Sequence, residues 1–183
     1  MGDMTDNDLG LCYEDLVPFS WCEVSADVPI PELVHAHESN EELLRSVSVL
    51  EEYAQDSSDD NSVMNHEIVR IECKVDMLMD MVASLLHEHI DMPDSAPIRL
   101  GGNGVQWVSE TVPAIGTHVQ VSFFLNRKFP NPVVLFGQVV KSKDDDEYNV
   151  TVIFEHMVES VQSLLDKQVF RQHRRAVALE RHT

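Results

Sequence analysis

A ladder of apolar residues between Met64 and Leu85 constrains this chain more than any other feature. Steps of four and three residues from Met64 pass through Ile68, Ile71, Val75, Leu78, Val82 and Leu85 and end at His89. This spacing is typical of a heptad seam, in which positions a and d are apolar. A helix that packs on an irregular core seldom keeps such strict spacing. We therefore predict a long helix that associates with copies of itself, and a homo-oligomeric protein.

The flanks of the seam widen its apolar face in the second half of the helix. Met79 and Leu86 fall at position e, and Met81 falls at position g. β-Branched residues at a with Leu at d favour a parallel dimer, but a wider face needs more neighbours. Glu67 at g would also meet Glu72 at e of a parallel partner. We expect a tetramer; a trimer is the second possibility and a dimer the third. The alternative to self-association is an amphipathic helix docked on its own domain.

The charge of the chain limits its partners. Its 183 residues fit one domain with an extension, and 32 acidic against 13 basic residues give a formal net charge of -19. A field of this sign repels nucleic acid and anionic membranes, so neither is an expected partner. The acidic start MGDMTDND is unlike a signal peptide, and no apolar run is long enough for membrane insertion. We expect a cytoplasmic protein.

Residue types that carry catalysis or bind metals do not form a recognisable pattern. The three cysteines, Cys12, Cys22 and Cys73, have no CxxC spacing. Two His-x-His pairs, His35 with His37 and His87 with His89, arise readily by chance among nine histidines. Nucleophile elbows, phosphate-binding loops and metalloprotease motifs are missing from the sequence. We expect no enzyme activity, no cofactor and no metal site.

The composition divides the chain into four parts. Residues 1–12 are predicted to form a disordered tail, and residues 13–39 a strand at 16–24 followed by a proline-containing linker. Residues 40–92 are predicted to form the oligomerising coiled-coil helix, with Asn40 as its cap. Leu43, Val47, Leu50 and Ala54 keep the heptad phase, although the polar segment at 56–62 would allow two helices. Residues 93–183 complete the domain.

Alternating apolar and polar residues after Pro97 predict closely spaced antiparallel strands. These strands are expected at Ile98 to Leu100, Val105 to Ser109, His118 to Leu125, Val133 to Ser142 and Tyr148 to Glu155. An amphipathic helix follows from Val158 to about Leu179. Hairpin-length connections indicate that the sheet closes into a small barrel. The predicted class is α+β, with a small antiparallel barrel, a long heptad helix and a C-terminal helix.

The barrel region contains, in order, the runs IRLGGNGVQW, PAIGTHVQVSFFL, VVLFGQVV, YNVTVIFEHM and VESVQSLLDKQVFRQHRR. This order, from Pro97 to about Arg175, resembles a PilZ domain, the bacterial receptor module for cyclic di-GMP. An attached heptad helix is similar to the atypical tetrameric branch of that family. The resemblance implies a six-stranded barrel, one strand more than the pattern after Pro97 supplies. We predict that residues 16–24 provide the sixth strand, with the long helix inserted between two barrel strands.

The two ligand motifs of the PilZ family are degenerate in this sequence. The resemblance implies an RxxxR motif ahead of the barrel, yet the chain has no Lys or Arg before Arg45. The second motif, D/N-x-S-x-x-G, aligns with Arg99 at the Asp/Asn position, Gly101 at the Ser position and Gly104 at the matching Gly. RxxxR spacing recurs only at Arg171 and Arg175, on the C-terminal helix.

These features predict a non-enzymatic, oligomeric PilZ-type adaptor in cyclic di-GMP-linked bacterial signalling, with an unknown protein partner. Cyclic di-GMP is a dianion with two guanines, and arginine forks suit both parts of it. Loss of several such contacts at once predicts weak binding or none. The alternative is a genuine cyclic di-GMP receptor with an altered binding mode, in which Arg99 holds a phosphate or a guanine.

Overall fold

The computed structural model describes residues 9–56, 63–87, 92–125, 131–142 and 148–180. Six antiparallel strands form a closed barrel in the order β1-β2-β3-β6-β5-β4. The strands are β1 Cys12–Glu23, β2 Ser95–Gly101, β3 Gly104–Trp107, β4 His118–Phe123, β5 Val133–Ser142 and β6 Val150–Glu155. The helices are α1 Ile30–Asp56, α2 Val63–His87 and α3 Glu159–Glu180. The predicted six-stranded barrel is confirmed.

β1 supplies the strand that the pattern after Pro97 lacks, as predicted. Its first half pairs with β2 up to Pro18, and its second half pairs with β4 from Phe19 onwards. The change of partner falls at a proline, which has no N–H to donate to a strand neighbour. Because β1 bridges β2 and β4, it closes the barrel. The helices α1 and α2 are therefore an insertion between two paired strands, as the sequence suggested.

The barrel interior is filled by alternate side chains of all six strands. Trp107 is 1% exposed and lies against Phe19 in this interior, with ring centroids 5.1 Å apart. On β2, Ile98 and Leu100 point inward while Arg99 between them points outward, as the two-residue period of a strand requires. This alternation places Arg99 on the outer face of β2, whereas Gln106 of β3 is only 4% exposed.

The helical insertion begins ten residues earlier than predicted, which corrects the expected linker at 13–39. α1 starts at Ile30, and Pro31 occupies its first turn. Proline is tolerated there because first-turn N–H groups have no intrahelical partner. The tail boundary at residue 12 also differs, since β1 starts at Cys12 and Leu9 is 2% exposed. The possible helix break at 57–62 lies outside the described residues.

Asn40 is not a helix cap, because it lies inside α1 and is fully buried. Its Nδ2 donates to the carbonyl oxygen of Val134 at 2.7 Å, and its Oδ1 accepts from the Val134 N–H at 2.9 Å. Pairing of β5 with β6 ends at Phe136, so Val134 lies beyond it. Asn40 thus replaces a missing strand neighbour and fastens α1 to the barrel.

α1 also packs along α3 on the outside of the barrel. Leu43, Leu44 and Val47 are at most 5% exposed and belong to the same core cluster as Val161 and Leu165. The first part of the heptad phase is therefore buried within the chain. The Ser160 hydroxyl donates to Glu41 Oε2 at 2.8 Å, and this bond is the main cause of a lowered pKa of Glu41.

Candidate functional site

The predicted oligomerisation seam lies on α2, and its described a and d side chains are exposed in the single chain. The exposed fractions are 49% for Ile68, 57% for Ile71, 48% for Val75, 61% for Leu78, 54% for Val82 and 61% for Leu85. Met81 is 56% exposed and Met79 is half-buried. The side chains of Met64 and Leu86 lie outside the described set. A continuous exposed apolar face of this kind marks a protein interaction surface.

The three residues aligned with the second ligand motif lie in or beside the β2–β3 hairpin. Arg99 is on the outer face of β2, opposite Glu14 of β1 and Gln106 of β3. Its Nε and Nη2 donate to the same oxygen of Glu14, Oε1, at 3.1 and 2.8 Å. Its guanidinium carbon lies 5.0 Å from the centroid of the Tyr148 ring. Arg99 is therefore engaged by a carboxylate and an aromatic ring of its own chain.

The two motif glycines have a packing role. A Cβ on Gly101 would lie 2.5 Å from the carbonyl oxygen of Leu9, and one on Gly104 would lie 2.3 Å from that of Val152. The Gly104 Cβ would also be 2.7 Å from a methyl carbon of Leu9. Close approach of backbone therefore requires glycine at both positions. The hairpin is covered at this end by Leu9, which the sequence reasoning had assigned to a disordered tail.

A cleft of about 660 Å³ adjoins this hairpin. It is lined by the segment before β1, the β2–β3 turn and one face of α3, through Leu9, Gly10, Leu11, Gly102, Asn103, Glu159, Gln162, Ser163, Asp166, Lys167, Val169 and Phe170. Gln162 Nε2 donates to the carbonyl oxygen of Gly102 at 2.8 Å and to Asp166 Oδ1 at 3.2 Å. Two carboxylates and one ammonium group face this cleft along its described lining.

The RxxxR spacing on α3 contributes to helix packing. Arg171 Nη1 donates to the carbonyl oxygen of Ser48 on α1 at 3.3 Å. Arg175 is half-buried one turn further along α3. Both arginines lie in the second half of α3, beyond Phe170.

Within the residues that the structure describes, no group of three or more His, Cys, Asp or Glu side chains is arranged to hold a metal ion. None of the described helices has an apolar stretch that would cross a membrane.

Sequence reasoning missed Leu9 and the acidic lining of the cleft. Leu9 is a large apolar residue in an otherwise acidic start, directly before Gly10, and this contrast was the available signal. Gly10 has φ +68°, a conformation that glycine adopts without strain, and it turns the chain from the cleft into β1. Glu159 and Asp166 gave no signal, because acidic residues on an exposed helix are common in this chain.

Comparisons with known proteins agree with the fold. The family model described as atypical PilZ domain, cyclic di-GMP receptor, matches residues 44–182. A crystal structure of a pathogenic protein from Xanthomonas campestris, described as a new tetrameric PilZ domain self-assembled via an unusual helical bundle, is similar with a TM-score of 0.70. It is 20% identical, and the similarity covers 92% of this chain and 90% of that one. A search of curated proteins found no match. Because the family model spans most of the chain, this protein belongs to the atypical PilZ family.

Proposed function

We propose that this protein is a non-enzymatic cytoplasmic adaptor in cyclic di-GMP-linked bacterial signalling. It displays several PilZ barrels on one helical bundle and acts through a protein partner. The observation that carries this proposal is the apolar seam of α2, whose described a and d residues are 48 to 61% exposed in the single chain. Linking several binding modules raises avidity without new contacts, which suits an adaptor.

A tetramer is the oligomeric state that the seam supports best. Met79 and Met81 extend the apolar face beyond the two columns that a dimer covers. The similar Xanthomonas structure is described as a tetramer assembled through a helical bundle. Each seam residue that becomes buried contributes roughly 1.5 to 3 kcal/mol, so six of them supply a gross gain on the order of 10 kcal/mol per chain. Ordering of the side chains offsets part of this gain.

Light scattering on the purified protein tests the assembly. We expect a particle of four times the 20.7 kDa chain mass. Leu78→Asp places a carboxylate in the seam and should yield monomers, because burial of an unpaired charge costs several kcal/mol per chain. Met77→Asp is the matched control, since Met77 is the adjacent residue, is 66% exposed and lies off the seam at position c. A monomeric wild type, or equal dissociation by both variants, would contradict the proposal.

Weak or absent cyclic di-GMP binding is the second part of the proposal. The aligned arginine, Arg99, is already paired with Glu14, and Leu9 covers the glycines of the motif. Glu159 and Asp166 line the adjoining cleft and would repel a dianion. A ligand would have to displace Glu14 from Arg99 and would gain no second arginine from the described cleft lining.

One observation favours the alternative, a receptor with an altered binding mode. The Arg99 guanidinium lies over the Tyr148 ring, and a cation and an aromatic ring both suit a guanine. Titration calorimetry with cyclic di-GMP separates the two readings. We expect no heat of binding at micromolar ligand for the wild type. Sub-micromolar binding that Arg99→Ala abolishes would establish the receptor instead.

A further inference from the structure

The cleft beside the β2–β3 turn follows α3 from its first turn to Phe170. The α3 residues that line it include Glu159, Gln162, Asp166 and Phe170, so one helix face forms a wall about 17 Å long at 1.5 Å per residue. Gly102 and Asn103 form the opposite wall beside Gln162. The hydrogen bond from Gln162 Nε2 to the carbonyl oxygen of Gly102 joins the two walls.

Two large apolar side chains, Leu11 and Phe170, lie at the C-terminal end of this cleft, and the Arg174 guanidinium carbon lies over the Phe170 ring, 5.8 Å from its centroid. Phe170 is 52% exposed and Leu11 is 44% exposed, and both line the cleft. The hydrogen-bond-distance contact between His173 Nδ1 and the carbonyl oxygen of Cys12, at 2.9 Å, keeps the segment around Leu11 against this part of α3. Two large apolar side chains are therefore held at one end of the cleft while still exposed to solvent.

Two carboxylates lie along the rest of the cleft, Glu159 at its far end and Asp166 one turn from Phe170. Asp166 lies two turns into α3, beyond the first turn in which the helix dipole favours anions, and Glu159 lies in that first turn. Lys167 is the single cation of the described lining, and the chain as a whole has a net charge of -19. The two carboxylates outnumber Lys167 in the described lining, and the net charge of the chain has the same negative sign, which favours a basic group in the cleft.

We propose that this cleft binds a short segment of a partner protein that carries a Lys or Arg and, a few residues away, a large apolar side chain. The basic group lies beside Asp166 and Glu159, and the apolar group lies between Leu11 and Phe170. An extended peptide rises about 3.3 Å per residue, so a wall of about 17 Å spans about five residues. This inference rests on the proposed adaptor function and assigns the chemistry of its partner.

The spacing of the two anchors follows from the geometry of α3. Glu159 and Phe170 lie three helical turns apart, and Asp166 lies one turn from Phe170. A basic residue three or four positions from the apolar residue reaches between the two carboxylates. Neither anchor needs the dinucleotide motif, so the contact is independent of Arg99.

Fluorescence anisotropy with defined peptides tests the proposal on the full-length protein. The probe is a fluorescein-labelled heptapeptide of Gly and Ser with Arg at its second and Phe at its sixth position. Two control peptides replace the Arg by Glu or the Phe by Ser. We expect the first peptide to bind at least fivefold more tightly than either control, and to weaken as salt is raised.

Variants of the cleft residues test the charged contact and the apolar contact separately. Asp166→Asn keeps the acceptor for Gln162 and removes one charge, so it should weaken binding about two- to fivefold, whereas Lys167→Gln should strengthen it by a similar factor. Phe170→Ser should weaken binding about tenfold. The matched controls are Glu110→Gln and Ile115→Ser, two exposed residues outside the cleft, which should leave binding unchanged.

The outcomes separate this proposal from the adaptor function. Equal binding of the three peptides, or cleft variants that behave like Glu110→Gln and Ile115→Ser, would overturn the cleft assignment. The adaptor proposal would then still stand if the protein is a tetramer and does not bind cyclic di-GMP. Strong cyclic di-GMP binding that displaces the Arg-Phe peptide would instead overturn the adaptor proposal while supporting the cleft as a recognition site.

Discussion

Asn40 provides the sharpest test of how the helical insertion is attached to the barrel. Its side chain has no exposed surface, and its amide satisfies both backbone groups of Val134 on β5. Asn40→Ala removes both hydrogen bonds and leaves an N–H and a carbonyl without their partner. Glu38→Ala, an exposed change on the same helix, is the control because it removes a side chain of similar size without touching β5.

The expected cost follows from the two bonds. A buried donor or acceptor that loses its partner costs about 1 to 3 kcal/mol, and two such groups give about 2 to 6 kcal/mol. Val134 is only half-buried, so water reaches part of the gap and the lower half of that range applies. We therefore expect a loss of about 2 to 4 kcal/mol, a large share of the 5 to 15 kcal/mol typical of a domain. The melting temperature should fall by roughly 5 to 15 °C.

Urea unfolding followed by tryptophan fluorescence measures this cost. Trp107 is buried in the barrel and lies 5.9 Å from Trp21, so its emission reports on barrel integrity. All variants are compared at one protomer concentration, because assembly makes stability concentration-dependent. Glu38→Ala should stay within about 0.5 kcal/mol of wild type. If Asn40→Ala also does, the amide contributes nothing to docking and the reasoning is wrong.

Two further outcomes follow from the barrel and the helix contact. Gly104→Ala would place a Cβ 2.3 Å from the Val152 carbonyl oxygen. We expect this change to lower the free energy of unfolding by about 1 to 3 kcal/mol in the same urea assay. It should also make the chain near Leu9 more susceptible to limited proteolysis. Ser160→Ala should raise the pKa of Glu41, measured by NMR titration, because the bond that chiefly lowers it is lost. A carboxyl group whose pKa is lowered in the folded state stabilises the fold above its unfolded-state pKa, and this gain disappears as the pH falls through the folded-state pKa. The free energies of unfolding of wild type and Ser160→Ala should therefore differ at neutral pH and converge in acid.

The barrel was predictable because its signals are local. Alternation with period two and short turns defined β2 to β6, and the resemblance to PilZ domains fixed their number at six. The position of β1 followed from counting strands. The start of α1 was not predictable from composition, because Pro29 and Pro31 are typical of a linker, while the first turn of a helix also accepts proline.

The site was predictable in kind but not in its contacts. Arg99 and the motif glycines were correctly placed on one hairpin, yet the sequence could not show that Glu14 pairs with Arg99, since the two are far apart in the chain. The same applies to Leu9, which lies against Gly101 and Gly104. Such contacts depend on the register between β1 and β2, which alternation alone leaves open by any even shift.

One heptad phase runs through both helices, but its residues differ in exposure between α1 and α2. Leu43 and Val47 keep the phase, yet they are buried within the chain, whereas the described a and d residues between Ile68 and Leu85 are exposed. A heptad pattern specifies an apolar face and leaves open what covers it: the described heptad residues of α1 pack on the chain's own domain, while the described a and d residues of α2 are exposed. Because Asn40 fixes α1 to β5, the orientation of each barrel is set before the helical insertion reaches α2. A variant that frees α1, such as Asn40→Ala, should therefore disorder the arrangement of the barrels, while the helical bundle still assembles. Small-angle scattering on the oligomer would then show an expanded particle of unchanged mass.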